Sequence, residues 1–189
     1  MPTDTNNRSI SATGFSQEYR LIKEHYGVSK SNFDVPLIQV VDDGLVLLAA
    51  MSAPAAVKGA WCLHPLLQSE EALEQSIRFP LRIRGASPMA ILFAMDFRLR
   101  IGSYPLQNPV VYTDYRGRLI PEVKMMLIAQ KVQGRSAFLR RKDDYLPPSE
   151  RGEMDLYYRN WLDYLGVSQQ QYVELSTLIA GRAKHAFPA

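Results

Sequence analysis

The chain has 189 residues, of which 47% are hydrophobic and 22% are charged, a length and composition typical of one folded soluble domain and not of a disordered chain. Its net charge of +3 is compatible with an anionic ligand, but it does not by itself indicate a nucleic-acid-binding protein. The single cysteine, Cys62, excludes an internal disulfide and a zinc site built from cysteines.

The sequence predicts one domain with a tail at each end. Residues 1–14, MPTDTNNRSISATG, lack the apolar core of a secretory signal and predict a flexible tail. The domain is predicted over residues 15–182, with a second tail over 183–189. Because the longest apolar runs are too short to cross a bilayer, we expect no membrane association and a cytoplasmic location.

Apolar residues recur at helical spacing along most of the chain. With proline and glycine at the boundaries, this periodicity predicts helices over residues 16–26, 36–51, 54–64, 69–77, 88–100, 121–142, 149–165 and 168–182. A short strand remains an alternative over residues 37–41, which are rich in β-branched side chains, and over 79–85, where apolar and basic residues alternate. The sequence therefore predicts an all-α domain of about seven or eight helices, with an irregular connection over 102–119.

Three positions are candidates for chemistry. His25 lies near the end of the first helix, His64 ends an Ala-rich apolar helix, and Gln130 lies in the apolar stretch LIAQKVQGR of the long helix. The segment around His64 reads AAVKGAWCLHPLLQSEEALE. This arrangement resembles the HD superfamily of metal-dependent phosphohydrolases, at its small end, near the domains that hydrolyse guanosine tetraphosphate. The resemblance implies an HD-like helical bundle in which a divalent metal activates a water for attack on a phosphoester.

The same resemblance implies where this chain departs from the family. His25 and His64 keep the histidine positions, but Pro65 stands where the aspartate of the His-Asp pair is expected, and Gln68 and Gln130 replace two further acids. Mg²⁺ and Mn²⁺ need anionic oxygen ligands. The resemblance thus implies a domain that has lost, or never had, the hydrolase centre, and we expect no cofactor; a divalent metal would belong only to an active hydrolase. Convergence of His25, His64 and Gln130 on one centre would support HD ancestry.

Both candidate histidines also have a structural interpretation. A histidine at the carboxyl end of a helix interacts favourably with the helix dipole, so His64 is predicted to cap or pack. His25 is predicted to lie on the surface or half-buried. Asp42 and Asp43 form an acidic pair beside Gly44, which is predicted to be solvated or to break the helix, with metal ligation as the alternative.

Asp96 interrupts the apolar face of its helix. A buried aspartate needs a partner, so we expect an ion pair with Arg98, Arg100 or Arg135, and keep metal ligation as an alternative. Basic residues also form two candidate anion sites, one of Arg82, Arg84, Arg98 and Arg100, and the other of Arg135, Arg140, Arg141 and Lys142. They would bind a nucleotide phosphate or a nucleic-acid backbone, unless they only complement helix dipoles.

The favoured hypothesis is a catalytically degenerate HD-like domain that acts as a regulatory or accessory protein, binding a protein partner or assembling with itself. An origin in a phage or mobile element is predicted from the overall character of the sequence, and no individual residue indicates it. Two alternatives remain open. One is a metal-dependent nucleotide or phosphoester hydrolase that uses His25, His64 and one of Asp42, Asp43 or Asp96. The other is a nucleotide or nucleic-acid binder that uses the arginine groups.

Overall fold

The computed structural model of the protein describes residues 15–29, 36–78, 83–101, 119–145 and 147–180. Within these residues the backbone forms eight helices and no strand, which confirms the all-α prediction. The helices are α1 (Ser16–Tyr26), α2 (Leu37–Ala50), α3 (Ala55–Leu67), α4 (Glu70–Arg78), α5 (Pro88–Ile101), α6 (Pro121–Tyr145), α7 (Pro148–Tyr164) and α8 (Gln169–Ala180). Both predicted tails and nearly all of the irregular connection lie outside the described residues, as do residues 79–82 of the second alternative strand.

The alternative strand over residues 37–41 is wrong, because these residues form the first turns of α2. Val41, Leu45 and Leu48 recur at helical spacing and are all buried. Burial of that face outweighs the modest β preference of the branched side chains at its start.

Helix α3 lies at the centre of the fold. It packs against α1, α2, α4, α5 and α6. Its buried residues surround the helix, and they are Val57, Gly59, Ala60, Trp61, Cys62, Leu63, Leu66 and Leu67. Gly59 lets two neighbours approach closely, since a Cβ there would lie 3.2 Å from the Cβ of Ala90 on α5 and 3.3 Å from Cδ of Glu18 on α1.

Helix α6 joins the two halves of the chain. It contacts α2, α3 and α5 from the first half, and α7 and α8 from the second. Val123, Met126, Leu127, Ala129 and Val132 are buried along it and belong to the same apolar cluster as the residues of α3. The described helices therefore share one continuous core.

A buried carboxylate links α1 to the start of α5. Glu18 is buried, and its Oε1 accepts a hydrogen bond of 2.7 Å from the backbone N–H of Ser87. The free N–H groups at the amino end of a helix carry partial positive charge, which a carboxylate stabilises. Glu18 therefore caps α5 from a distant part of the chain.

Candidate functional site

The indole of Trp61 lies directly against the backbone of α2. Its Nε1 donates a hydrogen bond of 3.0 Å to the carbonyl oxygen of Val41. A Cβ added at Gly44 would lie 2.1 Å from the indole Cε2, so only glycine leaves room for the ring. Gly44 is therefore an interior residue of α2 that serves close packing, and the helix-breaking interpretation of Asp42 and Asp43 beside it is wrong.

His64 does not end its helix, contrary to the sequence-based prediction. Helix α3 continues through Pro65 as far as Leu67. In an α-helix the N–H of residue 65 would bond to the carbonyl oxygen of Trp61, but proline has no N–H. The Nδ1 of His64 lies 2.6 Å from that oxygen and donates to it. The His64 side chain therefore supplies the hydrogen bond that Pro65 removes, and the helix can continue.

The imidazole of His64 lies between two aromatic rings. Its centroid is 4.6 Å from that of Trp61 and 5.2 Å from that of Phe97 on α5. Burial in this apolar setting lowers the pKa of His64 to about 4. The ring is therefore neutral at pH 7, with its proton on Nδ1.

The other predicted ligand positions have different surroundings. His25 is exposed near the end of α1, with its ring 5.5 Å from that of Tyr26. Gln68 is exposed, and its backbone carbonyl accepts a hydrogen bond from Nε of Arg98. Gln130 lies half-buried on α6, where its Oε1 is enclosed and has no hydrogen-bond partner among the described residues.

These positions do not fit a hard divalent cation. They offer two histidines, of which His64 has its Nδ1 engaged, a proline, and two neutral amides, whereas Mg²⁺ and Mn²⁺ require carboxylate oxygens. Within the described ranges, no group of three or more His, Cys, Asp or Glu side chains is arranged to hold a metal ion.

The enclosed oxygen of Gln130 gives a first prediction. Replacing Gln130 with leucine removes an unpaired buried carbonyl at similar volume, so we expect the free energy of unfolding to rise by about 1 kcal/mol. Urea denaturation of both proteins measures the difference. A loss of stability would mean that Oε1 has a hydrogen-bond partner in solution.

The candidate aspartates have protein partners. Asp42 accepts a hydrogen bond of 2.8 Å from the hydroxyl of Tyr19, and Asp43 one of 2.7 Å from Nε2 of Gln39. Asp96 pairs with Arg100, with Nε 3.3 Å from Oδ2, which confirms the predicted structural ion pair.

The predicted anion-binding arginines are engaged with acidic or aromatic side chains. Arg98 bridges to Glu70 on α4, and Arg100 pairs with Asp96. Arg135 lies 3.0 Å from Oδ1 of Asp155, and its guanidinium stacks 4.4 Å from the ring centroid of Tyr172. Arg140 is exposed, and the side chains of Arg141 and Lys142 lie outside the described part of the chain.

Sequence analysis missed a buried lysine between α6 and α7. Nζ of Lys131 donates a hydrogen bond of 2.8 Å to the hydroxyl of Tyr157. It also lies 4.9 Å from the ring centroid of Tyr157 and 4.6 Å from that of Trp161, which are cation–π distances. Burial lowers the pKa of Lys131 to about 8. The signal in the sequence was a lysine within the apolar periodicity of α6, but only the fold shows which aromatic rings face it.

The lowered pKa of Lys131 gives a second prediction. Between the folded pKa of about 8 and the unfolded value of 10.5, the unfolded chain holds the proton and the folded chain does not. Stability therefore rises with pH in this window, and we expect wild type to gain about 2 kcal/mol over Lys131→Met between pH 7.5 and pH 10. Denaturant unfolding of both proteins at a series of pH values measures this. A constant difference would contradict the burial of Lys131.

Helix α5 presents apolar residues on both sides. Its inner side, Ala90, Ala94 and Phe97, is buried. The opposite side carries the exposed residues Pro88, Met89, Leu92 and Leu99, which we call the outer face of α5, while Met95 beside them is half-buried and packs against the core. Leu92 is 60% exposed, Leu99 54% and Met89 47%. A surface helix normally turns polar residues outward, so an exposed apolar face on α5 indicates a candidate contact surface.

Comparison of the chain with protein-family models, curated proteins and solved structures found no match. Among the described residues, no helix is both long and apolar enough to span a membrane. The chemistry of the described residues is therefore the basis for any functional assignment.

Proposed function

We propose that this chain is a non-catalytic, HD-like helical domain that acts as an accessory protein in the cytoplasm, by binding another protein molecule through the outer face of α5. The observation that carries the proposal is the exposure of Met89, Leu92 and Leu99 along one side of a helix whose other side is buried. Contiguous exposed apolar surface on a soluble domain is typical of a protein-binding site.

The outer face of α5 has the composition expected at the centre of a protein interface. Such centres are depleted in charge and enriched in methionine and large apolar side chains. The charged residues of α5 are held by neighbours, since Arg98 bonds to Glu70 and Asp96 pairs with Arg100. A partner helix could therefore lie along this face without leaving a charge of α5 unpaired.

The absence of catalysis is proposed from the residues at the HD-like positions. His64 is neutral, packed between aromatic rings and bonded to the carbonyl of Trp61, and Pro65 and Gln130 bring no negative charge. A nucleic-acid-binding role has less support, because Arg98, Arg100 and Arg135 already pair with carboxylates.

Site-specific photo-crosslinking tests the binding surface. The full chain is expressed with a benzophenone amino acid in place of Leu92, and the matched control carries it in place of Leu178, a 46% exposed leucine on α8. We expect irradiation to join the Leu92 variant, and not the Leu178 variant, to another polypeptide identified by mass spectrometry. No crosslink at position 92, or equal crosslinking at both positions, would overturn the proposal.

A nucleotide panel with Mg²⁺ and Mn²⁺ tests the absence of catalysis. We expect the purified protein to release no phosphate above the blank. Turnover that disappears in His64→Ala, with the variant still folded by circular dichroism, would assign the chain to the hydrolases instead.

A further inference from the structure

We propose that residues 148–161 of α7 form a conformational switch, which either docks on α6 or detaches from it, and that the buried ammonium of Lys131 favours the detached state. The switch is independent of the binding function proposed for α5. Three features of the molecule support it, which are the one-sided attachment of α7, an uncompensated charge at its contact with α6, and the short length of the segment that would detach.

Helix α7 is attached to the rest of the fold on one side. Among the described helices, its only extensive contact is with α6, whereas α8, which follows it, packs on both α2 and α6. The chain is anchored at the carboxyl end of α7, because Leu162 and Leu165 are buried in the apolar core. Residues 148–161 precede this anchor. They can therefore leave α6 while α8 stays in place.

The contact between α6 and α7 contains a buried cation without a carboxylate partner in the described part of the chain. Lys131 is 3% exposed, and its Nζ bonds to the hydroxyl of Tyr157 and faces the ring of Trp161. Asp155 on α7 is already paired with Arg135 and with a second arginine of α7. A hydroxyl and aromatic rings offset only part of the free energy needed to remove an ammonium from water. Docking of α7 therefore carries a cost that detachment removes.

Detachment returns the ammonium to water, so it is coupled to protonation. Burial lowers the pKa of Lys131 to about 8 while α7 is docked, from its ordinary value of 10.5 in water. Between these values the detached state holds the proton and the docked state does not, so docking strengthens as the pH rises. By linkage, the ratio of detached to docked molecules falls about tenfold between pH 7 and pH 9. The other ionisable groups around the contact are Arg135 on α6, Asp155, Tyr157 and Arg159 on α7, and Tyr172 on α8.

A detached segment would not keep a stable helix. Isolated helices shorter than about 12–15 residues are marginal in water, and residues 148–161 lie at that limit. Gly152, inside the segment, lowers its helix propensity further. The backbone amides of the segment would therefore exchange with solvent while α3 and the core around it remain folded.

Hydrogen exchange of the full chain, resolved by residue with NMR at pH 7, tests the switch. We expect the amides of residues 153–160 to be at least about 100-fold less protected than those of residues 60–64 in α3. Lys131→Met should raise the protection of residues 153–160 at least about tenfold, because an uncharged side chain of similar length has no ammonium to desolvate. The matched control Lys23→Met, which replaces an exposed lysine on α1, should leave it unchanged.

A pH series on the wild type tests the role of Lys131 without depending on the fold of a variant. Between pH 7 and pH 9, the protection of residues 153–160 should rise about tenfold in the wild type and stay constant in Lys131→Met. Equal protection of α7 and α3 would overturn the switch, since α7 would then leave α6 only in global unfolding. Low protection of α7 that changes neither with pH nor in Lys131→Met would overturn the part assigned to Lys131.

Discussion

Replacing Gly44 with alanine is expected to lower the free energy of unfolding by about 3 kcal/mol. The new Cβ would lie 2.1 Å from Cε2 and 2.2 Å from Nε1 of Trp61. The Trp61 ring cannot move away from this Cβ without breaking its hydrogen bond to the carbonyl of Val41 and displacing the apolar residues packed around α3. This cost exceeds the gain of about 1 kcal/mol that alanine brings to a helix interior. Urea denaturation followed by circular dichroism measures the difference.

Gly152 on α7 provides the matched control. It is also inside a helix, but nothing lies within 4 Å of a Cβ built there. Gly152→Ala should therefore raise stability by up to about 1 kcal/mol. Trp61→Phe, which shortens the ring, should recover part of the loss in Gly44→Ala. Equal effects of the two glycine substitutions would contradict the close contact between α2 and Trp61.

Acidification is expected to weaken the fold through His64. Its pKa is about 4 in the folded protein and about 6.5 in the unfolded chain, so between these values only the unfolded chain takes up the proton. Stability from His64 is complete above pH 6.5 and is lost as pH falls towards 4, by about 3 kcal/mol.

His64→Asn isolates this contribution. Asparagine keeps an N–H close to the position of Nδ1 and does not titrate. Other groups titrate alike in both proteins, so the difference between their unfolding free energies should change by about 3 kcal/mol between pH 7 and pH 4. A difference that is independent of pH would show that the imidazole is solvated.

Periodicity was sufficient to predict the helices because most of them bury apolar residues that recur at helical spacing. In α6, Val123, Met126, Leu127 and Val132 recur at helical intervals, and all four are buried. The end of α3 was predicted incorrectly, because proline ordinarily stops a helix and nothing local shows that the neighbouring side chain will replace the lost hydrogen bond.

The environments of Gly44 and Lys131 depend on contacts between distant segments. The approach of Trp61 to Gly44 and the rings around Lys131 involve separate helices, so no spacing within one segment indicates them. Asp96 was predictable because its partner Arg100 lies one turn away on the same helix.

The pairing of His64 with Pro65 has an evolutionary consequence. As long as residue 65 is proline, the carbonyl of Trp61 receives its hydrogen bond from the side chain at position 64, which favours residues there that can donate one. Any other residue at position 65 would restore a backbone N–H that can donate to the carbonyl of Trp61. The imidazole of His64 would then no longer be needed for that hydrogen bond. A substitution at residue 65 would therefore remove one structural constraint on residue 64 and leave its packing between Trp61 and Phe97.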